Sequence, residues 1–210
     1  MLTWLTSHYI KQLKWLNRLF KFDIKEAFSN ERAFFYFRAM LEKEVRGHKP
    51  QFGANFWAAE NATVVGECVF GKDCTVWFGA VVRGDVNGIT FGDNCNIQDN
   101  ATVHCTFEQT SVNIGNNVSI AHNAVVHGCT IEDNVMVGMG AILMDNVYVE
   151  TNSIIAAGAV VLEGTRVESG HIYAGVPAKK LKKADPATLA NLNQRVAKNY
   201  TKYASWFKED

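Results

Sequence analysis

The sequence has no excess of charge of either sign. Lys and Arg together number 21, Asp and Glu also number 21, and the formal net charge is zero. A chain so balanced has no electrostatic pull toward a polyanion, and no RNA- or DNA-binding motif is visible, so nucleic acid is not an expected partner. There is no Cys-x-x-Cys pair, and the five cysteines (Cys68, Cys74, Cys95, Cys105 and Cys129) are odd in number. Both facts argue against a disulfide framework and for free thiols in a reducing compartment. No predominantly apolar stretch approaches the roughly 18 residues that a membrane span needs. Lys11, Lys14, Arg18 and Lys21 interrupt every early apolar run, so no secretory signal is expected either. A cytoplasmic protein without a membrane partner is the expectation.

What is present is 210 residues with 48% hydrophobic content, enough for one continuous core and short appendages. Residues 1–39 carry seven Lys/Arg against three Asp/Glu, with no Gly or Pro. Leu2, Leu5, Tyr9, Leu13, Leu16 and Leu19 recur there every three or four residues, which predicts an amphipathic helical extension. Docking on the main domain or a neighbouring chain is its plain reading. Trp4, Trp15, Phe20 and Phe22 among the basic residues would also fit a helix on a membrane surface. Residues 40–180 form the repeat region described next. Residues 181–210 are expected to hold a closing helix, opened by Asp185 as N-cap and Pro186 in its first turn. Leu189, Leu192, Val196, Tyr200, Tyr203 and Phe207 would make its apolar face.

From Val64 onward, aliphatic or aromatic residues recur every six positions. The runs are Val64-Phe70-Val76-Val82, Phe91-Ile97-Val103, Ile114-Ile120-Val126 and Ile131-Val137-Leu143-Val149-Ile155-Val161-Val167-Tyr173. Four residues after many of them stands a small or apolar side chain, such as Cys68, Cys74, Ala80, Cys95, Ala101 or Ala124. Gly, Asn and Asp fill the positions between. A hexapeptide period with turn residues in every unit predicts a mainly β protein, a parallel β-helix in which three units close a triangular coil of about 18 residues. Coils stack about 4.8 Å apart, and the repeated aliphatics point inward. The cysteines at the small position are explained by packing alone.

The period breaks in three places. Val82 to Phe91 is nine residues, Val103 to Ile114 is eleven, and Val126 to Ile131 is five. The surplus residues are expected to leave the coil as loops near 86–90 and 106–112. Counting units in threes puts Val82, Val103 and Val126 on one face, so Arg83, His104 and His127 should form one outward column. His122 follows Ile120 by two and belongs to the preceding face. One prism would struggle to converge all three imidazoles, whereas a threefold neighbour could bring its own His122 opposite the column. Three neutral imidazoles with an open fourth position form a catalytic zinc arrangement. The plain alternative is histidines that only hydrogen-bond. Three of the six histidines within 24 residues, on stacked coils beside a loop, favour metal; His8, His48 and His171 have no such context.

At these residues the chain resembles the gamma-class carbonic anhydrases. Val81-Val82-Arg83-Gly84-Asp85 resembles their Arg-Gly-Asp turn. Asn96-Ile97-Gln98-Asp99, with His104 five residues on, resembles their next motif, and His122 with His127 resembles their remaining metal pair. The resemblance covers about residues 43–180 and implies left-handed winding and a homotrimer with shared sites. It also implies zinc, with iron or cobalt as alternatives, on His104, His122 and His127. The activity implied is reversible hydration of carbon dioxide, a small-molecule substrate, by metal-bound hydroxide. Gln98 would orient that hydroxide, and Arg83, Asp85 and Asp99 would form salt bridges holding trimer and site together.

The sequence departs from the best-known archaeal members at the proton-transfer groups. Val86 stands where they carry a glutamate, and the loop Thr106–Ser111 is short, with Glu108 as its only acid. Proton transfer would fall to Glu108 or buffer, or be slow. Tyr173 resembles a tyrosine near the site in short-loop members. Three other readings compete. Tyr173-Ala174-Gly175-Val176-Pro177-Ala178-Lys179 also resembles the end of the repeat domain in coenzyme-A-dependent hexapeptide acyltransferases, which use a histidine base and no metal. A thioesterase on the same zinc scaffold and a catalytically silent structural trimer are the others.

Overall fold

The computed structural model describes residues 40–208. The helical extension expected over 1–39, and its membrane-surface reading, lie outside the described residues.

The hexapeptide arithmetic builds a parallel β-solenoid with three faces. On the first face, β4 (Thr63–Phe70), β6 (Val81–Phe91), β8 (Thr102–His104), β11 (Val125–His127), β14 (Ile142–Leu143) and β17 (Val160–Val161) stack in parallel, with β1 (Leu41–Lys43) beside β4. The second face holds β2 (Gln51–Phe52), the far ends of β4 and β6, β9 (Val112–Ile114), β12 (Thr130–Ile131), β15 (Tyr148–Val149) and β18 (Arg166–Val167). The third holds β3 (Trp57–Ala58), β5 (Thr75–Val76), β7 (Asn96–Ile97), β10 (Ser119–Ile120), β13 (Met136–Val137), β16 (Ile154–Ile155) and β19 (His171–Ala174). The repeated aliphatics point inward in register. Val82 pairs with Val103, Val103 with Val126, and Val126 with Leu143, all fully buried. Each corner must turn the chain sharply from one face to the next, and Asn, Asp or Gly does so in the left-handed region, as at Asn94, Asn117 and Asn134. All five cysteines are free and buried in the core.

The two surpluses resolve differently. The surplus near 106–112 does leave as a loop, closed by a turn in which Gln109 N donates to Thr106 O at 3.2 Å. The surplus near 86–90 does not. β6 runs unbroken round the corner from the first face to the second, and β4 follows it with a register shift between Gly66 and Cys68. Four residues of β6, 85–88, stand opposite the single Glu67 of β4, so the surplus is held as a bulge inside one strand and no loop forms.

The last coil also departs from expectation. β20 (Lys179–Lys183) pairs antiparallel with β19, so the sheet extends past the expected boundary at 180. Helix α1 (Pro186–Ser205) starts where expected, with Asp185 Oδ2 accepting from Thr188 N at 2.7 Å. It packs along β5, β7 and β10. Its deepest side chains are Leu189, Asn193, Ala197 and Ala204. The larger Leu192, Val196, Tyr200 and Tyr203 are half-buried, and Phe207 lies beyond the helix and is exposed. Close approach of helix to solenoid favours small residues, and Asn193 Nδ2 donates to Asn134 O at 2.5 Å across the join. Among the described residues no helix is long and apolar enough to cross a membrane.

Candidate metal centre

The parallel register that stacks Val103 on Val126 also sets His104 opposite His127. Inward valines oblige the next residue of each strand to point outward. The two imidazoles come together with His104 Nδ1 3.2 Å from His127 Nε2. Two nitrogens bound to one tetrahedral zinc at 2.0–2.1 Å stand about 3.3 Å apart, so the separation suits two ligands of a single ion.

Each histidine is held from behind by a carboxylate. His104 Nε2 lies 3.1 Å from Asp85 Oδ1, and Arg83 Nη1 donates to Asp85 Oδ2 at 2.5 Å. His127 Nδ1 lies 2.6 Å from Asp145 Oδ1, whose other oxygen accepts from Thr106 Oγ1 at 2.5 Å. His122 Nδ1 lies 2.7 Å from Asp99 Oδ2, and its Nε2 is 3.4 Å from Tyr200 OH. A carboxylate on one ring nitrogen fixes the tautomer and leaves the other nitrogen free to bind, the usual support of a metal-ligating histidine. The donor set therefore fits zinc.

Electrostatics agree with this. Burial, followed by the Arg83 guanidinium, lowers the His104 pKa and favours the neutral, ligating form. Burial pushes the Asp85 carboxyl up, but hydrogen bonds from Arg83 and His104 outweigh it and leave its pKa below the usual value. At Asp145 the same opposition ends the same way, through Thr106 and His127. Burial, with the charge of Asp99, pushes Tyr200 up to about 12, so it stays protonated.

His122 follows β10 on the third face. Among the described residues no three His, Cys, Asp or Glu side chains of one chain converge to hold a metal ion. One chain presents a pair of imidazoles on one face and a single one on another.

Known proteins share this arrangement of repeats and strands. The family model described as bacterial transferase hexapeptide (six repeats) matches residues 128–163. A solved hexapeptide transferase family protein from Anaplasma phagocytophilum superposes with TM-score 0.75 at 35% identity, covering 80% of this chain and 98% of that one. Gamma carbonic anhydrase 2, mitochondrial, of Arabidopsis thaliana is 42% identical over 74% of this chain; the chain spans only 57% of that relative's length. A carbonic anhydrase of Geobacillus kaustophilus is 32% identical over 78% of this chain and 88% of its own length. The chain belongs to the gamma carbonic anhydrase family.

Within that family frame, the structure brings together Arg83, Asp85, His104 and His127, and separately Asp99 and His122. Gln98 is buried at 4% exposure beside Asp99, its amide donating to Asn96 Oδ1 at 2.9 Å. Glu108 is exposed at the loop tip in the left-handed region, with φ 54°. Tyr173 is misplaced by the resemblance. It is 6% exposed, points into the core from β19 and accepts from Glu168 N at 3.4 Å. Three strand steps, through β13 and β16, separate it from β10. Its six-residue phase with Val167 puts it inside, so it is a core residue. The tyrosine that does approach a histidine is Tyr200, which sequence reasoning placed only on a helical apolar face.

Asp145 and Thr106 were also missed. The step of seventeen from Val126 to Leu143 carries Asp145 opposite Gly128, next to His127, and that count was available in the sequence.

Proposed function

We propose that the chain is a zinc-dependent carbonic anhydrase, hydrating carbon dioxide reversibly at sites shared between the subunits of a homotrimer. The observation that carries this is the set of three histidines, each backed by a carboxylate, divided two and one between different faces. Head-to-tail association about a threefold axis would set the His122 of one chain against the His104–His127 pair of the next.

The surfaces below these ligands support such an interface. Leu143 pairs with Val161, so the outward column of His104 and His127 continues as Met144 and Leu162, both exposed. Below His122 stands Met139, 59% exposed. Exposed apolar side chains under each ligand face, Met144 and Leu162 on one and Met139 on the other, are surfaces that a second copy would cover.

Zinc, when bound, lowers the pKa of a water in its open position to about 7, a value established for other carbonic anhydrases and carried over here. The chain's own groups do the rest. Asp85, Asp99 and Asp145 hold the three imidazoles in the ligating tautomer. Arg83 balances Asp85 and keeps His104 neutral. Gln98 is the amide that family resemblance assigns to orienting the attacking oxygen. Glu108 has no partner at the histidines, so the proton passes to buffer. The free, buried thiols fit a reducing compartment, in keeping with cytoplasmic residence.

Zinc content, sedimentation and stopped-flow hydration on the same preparation test this reading. A zinc-bearing trimer whose hydration rate rises with buffer concentration is expected. A monomer with full zinc, or a zinc-loaded trimer without hydration, would overturn it. Mixed trimers of His104→Ala and His122→Ala chains should recover some zinc, because some of their interfaces contain three intact ligands.

The transferase description of the solved relative favours a second reading, coenzyme-A-dependent acyl transfer. Saturable acetyl-CoA binding by zinc-free protein would support it. Carboxylates behind all three histidines favour the metal.

A further inference from the structure

Family resemblance gives Asp85 and Asp99 salt-bridge roles, and concerns the loop after His104 only through its acid, Glu108. It gives nothing to Asp145, the carboxylate behind His127. The structure joins Asp145 to that loop.

Asp145 comes from the corner after β14, and its two oxygens do different things. Oδ1 meets His127 Nδ1 at 2.6 Å, and Oδ2 takes the Thr106 hydroxyl at 2.5 Å. Thr106 opens the loop that leaves the coil after β8. Inside that loop Thr106 N donates to Thr110 Oγ1 at 2.9 Å, and Thr110 N returns to Thr106 O at 3.1 Å. From β6, Asn87 Nδ2 clamps the loop by donating to Thr106 O at 3.2 Å and Thr110 O at 2.6 Å. Thr110 is buried although it belongs to a loop. Gly128 makes the convergence possible: it sits at φ +52°, and a Cβ there would overlap both Asp145 Oδ1 and Thr110 Oγ1. A bare backbone next to His127 is what lets the carboxylate and the threonine close on each other.

We propose that the Asp145 carboxylate is a positioning residue for His127 and, through Thr106, ties the metal centre to the 106–110 loop, so that loop order and metal occupancy rise and fall together. This rests on the metal reading above. The imidazole must keep its proton on Nδ1 to offer Nε2, and an anion at Nδ1 both fixes that proton and makes Nε2 more basic. The loop hydroxyl holds the second oxygen, so the carboxylate cannot swing away unless Thr106 moves with it. Ion binding at Nε2 strengthens the Nδ1 bond, and the loop is held by the same group.

The test uses the intact protein, with zinc as the probe. Zinc affinity is measured by competition with a chelator, and amide hydrogen exchange is followed across 106–110. Asp145→Ala should weaken zinc by about 10- to 100-fold, the usual cost of removing the group behind a ligating histidine, in protein of wild-type oligomeric state. Asp145→Asn, which keeps the shape and loses the charge, should fall between and serves if the alanine variant does not assemble. Thr106→Val should weaken zinc by less than Asp145→Ala, because the carboxylate stays at His127 and loses only its tie to the loop. Zinc loading should slow exchange at the Thr106, Gln109 and Thr110 amides in wild type, and fail to do so in Thr106→Val. Wild-type zinc affinity in folded Asp145→Ala or Asp145→Asn protein, or loop exchange indifferent to zinc in the wild type, would overturn this inference alone. A wild-type chain without zinc affinity would overturn it together with the proposed function.

Discussion

The upper and lower coils of the solenoid are built from the same unit and differ in what they carry. From Ile131 to Tyr173 the six-residue phase never breaks, and the outward positions hold residues such as Ile142, Tyr148 and Arg166. From Val82 to Ile131 it breaks three times, and every candidate ligand lies in that stretch. The hexapeptide family match, at residues 128–163, falls almost wholly on the regular part and includes none of His104, His122 and His127. A strict repeat gives successive outward positions the same neighbours, which stabilises columns and gives no position a special environment. Chemistry enters where the phase slips: β6 turns a corner as one strand, a loop leaves after His104, and Asp145 lands beside His127.

If the two halves divide labour in this way, their substitutions should separate. The largest effect should come from His127→Ala, which removes one of three ligands. Zinc affinity should fall by more than about 100-fold, beyond the loss from a supporting residue. Metal-free protein should still unfold near the wild-type denaturant midpoint, and a collapsed solenoid would show that site and scaffold are not separable. Ile155→Ala, in the lower half, should do the reverse. It opens a cavity at a fully buried position, and about 2–5 kcal/mol of stability should be lost in denaturant titration, with zinc per folded chain unchanged. The smallest effect should come from the corner residue Asn146, at φ 60°. Asn146→Ala should cost about 1 kcal/mol, because a plain Cβ resists the left-handed region, while Asn146→Gly should cost less. Equal losses for alanine and glycine would assign the cost to the lost side-chain bond to Glu163 instead.

Much of this was legible in the sequence because the repeat turns position into geometry. Period six fixed which residues face inward, and a count of threes put His104 over His127. The same count failed where a phase slip is absorbed as a bulge within a strand. Nothing in the spacing from Val82 to Phe91 says whether nine residues make a loop or one strand bent over a bulge, and the partner strand β4 decides it. Asp145 emerges only when the short step at Ile131 is carried through to the next coil, a step of seventeen from Val126 to Leu143. Tyr200 was hidden because helix α1 returns to the solenoid from more than 70 residues away from His122, a distance that no local pattern encodes.

The reversed strand at the end of the stack has a consequence for the molecule in solution. Parallel strands at a fixed spacing, with like side chains in columns, have the geometry of a fibril, and the last strand of such a stack exposes unpaired amides and carbonyls to any chain that can continue it. β20 occupies that position in the opposite direction and is lined by Lys179, Lys180, Lys182 and Lys183, all exposed. A second solenoid arriving end-on meets the wrong polarity and a row of like charges. On this face, one of the three, the end of the stack is therefore guarded against a second solenoid adding along the axis.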